Sequence, residues 1–202
     1  ETILSEINGA KQVLRDEKRF FQFEEYKNAY TTLKIAMQLI SYAHFPSKID
    51  LDSFFMAGTP EENLQGILSA TQDVIHNPFF DIYESTLLSK ANWNKYGLVG
   101  ISIIHAGQVI PGLTLARMLR NRYPHLHIVI GGSVFARHQD ILADKKILFE
   151  EMFHSIVLFE GEHPLDQLLM RLKNSEPLNT VPNLVYVANG EVVRNSTAKA
   201  LS

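Results

Sequence analysis

The stretch that most restricts the fold runs from Leu98 to Gly132, LVGISIIHAGQVIPGLTLARMLRNRYPHLHIVIGG. Leu98 to Ile104 is a short uncharged run rich in Ile and Val, as expected of a strand buried on both faces of a parallel sheet. The loop His105-Ala106-Gly107-Gln108 follows, and Pro111 stands where the first turn of a helix tolerates it. Val109, Leu113, Ala116 and Leu119 recur at helical spacing and define one apolar face. Arg117, Arg120 and Arg122 spread over the other sides toward the C-terminal end, where positive charge is favoured. A second buried run, His127 to Ile130, ends on Gly131-Gly132. The pattern predicts strand–helix–strand, with a right-handed crossover between parallel strands.

Around this unit, 202 residues leave room for one sizeable domain with or without an appendage. With 46% hydrophobic and 20% charged residues the composition is that of a globular protein. A net charge of −3 lacks the basic footprint of a nucleic-acid binder, so no such partner is expected. No apolar run approaches the roughly 20 residues of a membrane span. The chain opens on Glu1 without a basic stretch and apolar core, so no signal peptide and a cytoplasmic location are expected. Cysteine is absent, which excludes disulfides, thiolate zinc sites, a cysteine nucleophile and a cysteine-held iron–sulfur cluster in this chain.

The first ninety residues read as helical. Ile3, Ile7, Ala10 and Leu14 form one stripe and Tyr26, Tyr30, Leu33, Met37 and Ile40 another. Aromatics at this spacing, with Phe20, Phe21 and Phe23, are expected to be core and helix-packing residues rather than a ligand-stacking box. KIDLDSFF, 48–55, alternates like a half-buried strand. Thr59-Pro60-Glu61-Glu62 reads as a capped helix start, with Leu64, Ile67, Leu68 and Val74 inward and a stop before Asn77-Pro78. A further helix is expected at about 79–88, and two short helical pieces at 137–143 and 145–152. Ser155 to Phe159 predicts a third strand, followed by a helix beginning at Pro164 with Leu165, Leu168, Leu169 and Leu172 on one face. Asn189-Gly190 between two β-rich runs, 183–188 and 191–194, predicts a two-residue hairpin.

In an open parallel sheet, ligands bind at the carboxyl ends of the strands. The loops expected there are His105 to Gln108, Gly131-Gly132-Ser133 and Glu160-Gly161-Glu162-His163. Ser102, polar within an apolar strand, reads equally as a ligand-facing hydroxyl or as one satisfying a neighbouring carbonyl. Gly131-Gly132 is a weak phosphate cue, and neither G-x-G-x-x-G nor G-x-x-x-x-G-K-[ST] follows a strand. His105 and His163 fall on this edge, but without cysteine or an H-E-x-x-H spacing no metal site is expected. Most of the eight histidines are expected to be exposed or capping. Glu160 and Glu162 fit caps on the following helix better than a catalytic carboxylate pair, and no G-x-S-x-G elbow is present.

In order, VGISIIHAGQVIPGLTLARMLRNRYPHLHIVIGGSVFAR, SIVLFEGEHPLDQLL and VPNLVYVANGEVVRN resemble the cobalamin-binding-like domain that precedes the catalytic barrel of radical SAM enzymes. The shared order is a V-G-[IL]-S strand, a Q-x-x-x-x-L-x-L-A helix, a strand ending G-G, then a G-E turn and an N-G hairpin. KIDLDSFF and NPFFDIYES bring the likeness nearest to the peptide-maturation branch, and it spans about residues 48–195. The resemblance implies that Ser102, Ile104, Gly131 and Gly132 flank the nucleotide tail of the cofactor, with Gly161 and Glu162 on the same edge. His105, Gly107, Gln108 and Ser133 complete the candidate set in the adjoining loops. Two departures stand out. The lower-ligand motif D-x-H-x-x-G is absent, and so is the C-x-x-x-C-x-x-C cluster motif.

The expectation is thus an α/β fold of Rossmann-like, flavodoxin-like three-layer type with a helical N-terminal extension and a C-terminal β-hairpin. Its expected parts are a helical part packing on the sheet (1–92), a cobalamin-binding-like core (93–182), and a hairpin and linker toward a radical SAM barrel (183–202). The expected function is a cofactor-binding and positioning module, not catalytic alone, with cobalamin as cofactor and the barrel, and a peptide substrate, as partners. S-adenosylmethionine and a [4Fe-4S] cluster would belong to the parent enzyme, a methyltransferase or peptide-modifying enzyme. Two alternatives stand beside it: a docking module without cofactor, and a free-standing nucleotide- or flavin-binding α/β protein.

Overall fold

The computed structural model describes residues 2–56, 63–139 and 145–197. They fall into two compact units, residues 1–60 with 73–78 and residues 61–72 with 79–202.

The first unit is mainly helical. Helices α1 (Thr2–Arg15) and α3 (Phe23–Ala43) flank a single turn, α2 (Glu17–Phe20), capped by the Asp16 carboxylate, which accepts from the Lys18 and Arg19 amides. Ala10 and Val13 of α1 pack on Ala29 and Leu33 of α3, with Ile7 and Leu14 at the margin. Small residues let the helices approach, and the buried face of α3 is Ala29–Leu33–Ala36 rather than the tyrosine stripe. The aromatics expected in the core lie outside it: Phe21 is 78% and Phe23 71% exposed. Phe20 instead meets Phe21 and Tyr26 edge-on at 5.2 and 5.4 Å.

The strand expected over 48–55 is a hairpin of two short strands, β1 (Lys48–Ile49) and β2 (Phe54–Phe55), paired antiparallel. Asp50 breaks the alternation: its carboxylate accepts from the Leu51 amide, and its own amide donates to the Ser53 carbonyl.

The capping box at Thr59 lies outside the described residues. In the second unit, helix α4 (Leu64–Ala70) is capped by Asn63, whose Oδ1 accepts from the Gly66 amide, and it ends at Thr71. Val74, expected inward, is exposed because the helix has already stopped. Helix α5 (Phe79–Tyr83) continues into a wider π-type turn over Glu84–Leu88, close to the span expected.

The sheet has five strands in the order β3 (Leu98–Ser102), β4 (His127–Gly131), β5 (Ser155–Val157), β6 (Leu184–Ala188) and β7 (Glu191–Arg194). The β3–β4 and β4–β5 pairs are parallel; β5–β6 and β6–β7 are antiparallel. The expected all-parallel sheet is therefore mixed, and the C-terminal hairpin is part of it. Ten residues, 174–183, follow α9 (Glu162–Lys173), enough chain to return to the carboxyl end of β5 before β6 begins. Leu178 and Val181 of that return pack into the core. In the hairpin, Asn189 at φ 52° and Gly190 at φ 81° give the predicted turn.

Helix α6 (Val109–Arg122) buries Val109, Leu113, Ala116 and Leu119, the face read from the sequence. It lies close on one side of the sheet: a Cβ at Gly112 would meet Ile103 Cδ1 at 2.7 Å. Ile128, Ile130 and Ile156 are fully buried. On the alternate positions, Val129, Val157 and Leu184 pack on Leu165, Leu168 and Leu172 of α9. This helix begins at Glu162, two residues before Pro164, and Leu169 turns outward at 45% exposure. Helices α7 (Ser133–Arg137) and α8 (Lys146–Glu151) complete the described elements; α7 starts before the piece expected at 137–143, whose residues from 140 lie outside the description.

Candidate functional site

At the carboxyl ends of the parallel strands, on the side that carries α9, lies a groove of about 430 Å³. Strand alternation places Gly100 and Ser102 of β3, Val129 and Gly131 of β4, and Val157 of β5 on this face. Gly161, Glu162 and Leu165, at the start of α9, and Phe159 form the wall. The floor is nearly bare of side chains. A Cβ at Gly100 would meet nothing nearer than Val129 Cγ1 at 3.9 Å, and one at Gly131 nothing nearer than the Val157 carbonyl at 4.0 Å. These glycines leave room beside the backbone for a flat group.

Ser102 is exposed, and its hydroxyl makes no hydrogen bond among the described residues, so it is free to meet a ligand. Glu162 supplies the carboxylate at the rim, in the first turn of α9, where a negative charge is favoured by the helix dipole. Phe159 is held at φ 61°, in the left-handed region that a bulky residue adopts only under constraint. The constraint is visible on both sides of it. The Leu158 amide donates to the Asn183 carbonyl at 2.9 Å, and Asn183 Nδ2 donates to the Glu160 carbonyl at 3.2 Å.

Of the residues singled out from sequence, Ser102, Gly131, Gly132, Gly161 and Glu162 meet in this groove. Ile104, His105, Gly107, Gln108 and Ser133 stand in the loops beyond it. Gln108 Oε1 accepts from the Ile104 and His105 amides, and His105 Nδ1 accepts from the Gly107 amide at 3.2 Å, a reciprocal cap on the turn that leads into α6. Ser133 Oγ and Arg137 both donate to the Ile104 carbonyl. Gly132, at φ 100°, has a structural reason to be glycine: a Cβ there would lie 2.3 Å from the Ile103 carbonyl oxygen. Gly100, Val129, Val157, Phe159 and Leu165 line the groove and were not foreseen. A glycine inside an apolar strand was the available signal for Gly100; nothing local marked Phe159.

No protein-family model matches the chain, and no curated protein does. The likeness to a cobalamin-binding-like domain therefore rests on the residues themselves. Among the described residues no cluster of three or more His, Cys, Asp or Glu is placed to hold a metal, and no helix is long and apolar enough to cross a membrane.

β3 ends the strand order. The His127 amide donates to the Gly97 carbonyl and the Ile103 amide to the Gly131 carbonyl, so these odd-numbered positions face β4. By the period of two, the N–H and C=O groups of Leu98, Gly100 and Ser102 face the open edge. No Lys, Arg or Pro interrupts 98–104 to protect that edge.

Proposed function

We propose that the sheet-bearing unit is a Rossmann-like cofactor-binding and positioning module in a larger radical SAM enzyme, and that its groove takes the nucleotide tail of cobalamin. The observation that carries this reading is the bare glycine floor beside the unpaired Ser102 hydroxyl, on the edge where the resemblance puts the tail. A groove of about 430 Å³ that is apolar apart from Ser102 and Glu162 fits a flat, uncharged heteroaromatic group. Ser102 would hydrogen-bond the group, Gly100, Gly131 and Gly161 would admit it against the backbone, and Leu165 and Val157 would exclude water. Bound cobalamin supplies the group-carrying chemistry of its cobalt, and the protein supplies binding and orientation. Among the described residues no histidine borders the groove, and His105 is tied to its own turn, so they offer no histidine as lower ligand there.

The open edge of β3 favours a second reading, a docking module that adds an extended peptide or a strand of the neighbouring domain to the sheet. Titration of the chain with hydroxocobalamin, followed by absorption and heat, separates the two. Micromolar binding with a base-off spectrum, weakened about tenfold or more by Gly100→Leu, is the result expected of a tail in the groove. A Cβ at Gly100 meets nothing nearer than 3.9 Å and the rest of the side chain would enter the groove, so a melting temperature near that of the native chain is expected of that variant. Absence of binding at millimolar cobalamin would move the reading to docking.

A further inference from the structure

At the opposite, amino-terminal end of the parallel strands lies a second cavity, of about 620 Å³. This is within the roughly 300–1,000 Å³ of small-molecule sites. His125, His127, His154 and Lys173 border it, its lining is otherwise apolar, with Leu98, Leu169 and Leu172 among it, and no Asp or Glu takes part. The groups around it are set by geometry. The Ile128 amide donates to His154 Nδ1 at 3.0 Å, so the neutral ring carries its proton on Nε2, a donor with no partner among the described residues. His127 stacks on His154 with ring centroids 5.0 Å apart, and its Nε2 meets the buried Ser155 hydroxyl at 2.8 Å. His125 Nε2 lies 3.4 Å from the Trp93 carbonyl. From α6, Arg120 donates to the Phe153 carbonyl at 3.0 Å, which fixes a guanidinium beside both stacked rings. The nearest acid in sequence, Glu151, is already paired with Arg117 at 2.6 Å.

We propose that this cavity binds a small monoanion with an apolar body, a carboxylate on a hydrocarbon chain or ring, and takes up a proton as it does so. Lys173 at the rim attracts the carboxylate, the His154 Nε2–H meets it, and the leucines cover the hydrocarbon. Burial and the neighbouring Arg120 charge keep His127 and His154 neutral, with pKa values lowered to about 4. An anion arriving beside them supplies the missing counter-charge and raises the value of His127, since both nitrogens of His154 are already engaged, one by its proton and one by the Ile128 amide, so binding draws a proton from solvent onto His127. A dianion such as phosphate fits less well, since Lys173 is the one Lys or Arg on the described lining, which beside the three histidines is apolar.

Octanoate, with octanol and acetate as controls, tests this on the whole chain by calorimetry in buffers of differing ionisation heat. Octanoate is expected to bind with up to one proton taken up and to tighten at least about fivefold between about pH 7.5 and about pH 5.5. The His154→Gln variant, whose amide can still accept from Ile128, is expected to weaken binding about tenfold, and His127→Gln to flatten the pH dependence; Lys173→Ala should weaken binding at every pH. Gly100→Leu, in the other groove, should change nothing. Octanol binding as tightly as octanoate would overturn the proposal in favour of a merely apolar cleft. So would unperturbed His127 and His154 imidazole resonances in the native chain at saturating octanoate, a readout that needs no variant.

Discussion

Gly132 shows how much one missing methylene group can decide. Its φ of 100° and the 2.3 Å from a would-be Cβ to the Ile103 oxygen mean that any side chain must push two strands' ends apart. Gly132→Ala is expected to cost about 3 kcal/mol or more, read as a fall in the urea midpoint with unchanged slope. Gly131, one residue earlier, meets nothing nearer than 4.0 Å, so the same substitution there should cost far less. The pair G-G was legible as a special site, but which glycine serves the backbone and which serves the groove was not. That depends on Ile103, about thirty positions away. Ser102 is similar: the sequence left two readings of its hydroxyl, and on the folded sheet it lines the groove without a carbonyl partner among the described residues.

Elements whose cause is local were read well. The apolar period of α6 and the Asn189-Gly190 turn each draw on residues within one turn of chain. Asn189 at φ 52° sits where alanine is disfavoured by about 1 kcal/mol, so Asn189→Ala should lower stability by about that amount while Asn189→Gly leaves it nearly unchanged; thermal melts of the two variants check this. The segment 48–55 was read less well, because Asp50 competes for the backbone with its carboxylate and turns one strand into two. The direction of β6 also escaped the sequence. The residues of 174–183 show a loop, and only the packing of Leu178 and Val181 beneath α9 shows that it runs back along the sheet.

At the scale of the whole molecule, the stacked pair His127–His154 links the stability of the fold to pH. Both rings are held neutral, with pKa lowered to about 4, chiefly by burial; His154 and Arg120 add to the shift of His127, and Arg120 to that of His154. The unfolded chain takes up these protons from about pH 6.5 downward and the native chain does not, so stability is full above that value and falls as pH drops toward 4. His127 alone is expected to account for up to roughly 3 kcal/mol of loss over this window, and the less buried His154 for less. Denaturant midpoints measured across it should show the slope, and His127→Gln with His154→Gln should flatten it.

These two histidines mark the division between what the chain alone determined and what the tertiary structure decided. Composition, the Leu98–Gly132 unit and the hairpin turn determined an α/β fold with parallel strands, because hydrophobic period and turn chemistry are properties of neighbouring residues; β4 and β5 are buried as expected, whereas β3, read as buried on both faces, is a half-exposed edge strand. They also determined that the strand ends carry glycine and serine. The tertiary structure decided which of those line a groove, left β3 as an open edge, and stacked His127 on His154 beside Arg120 where exposed or capping histidines were expected. Each of those outcomes depends on residues that sequence distance separates and packing brings together, and no local pattern encodes such a meeting.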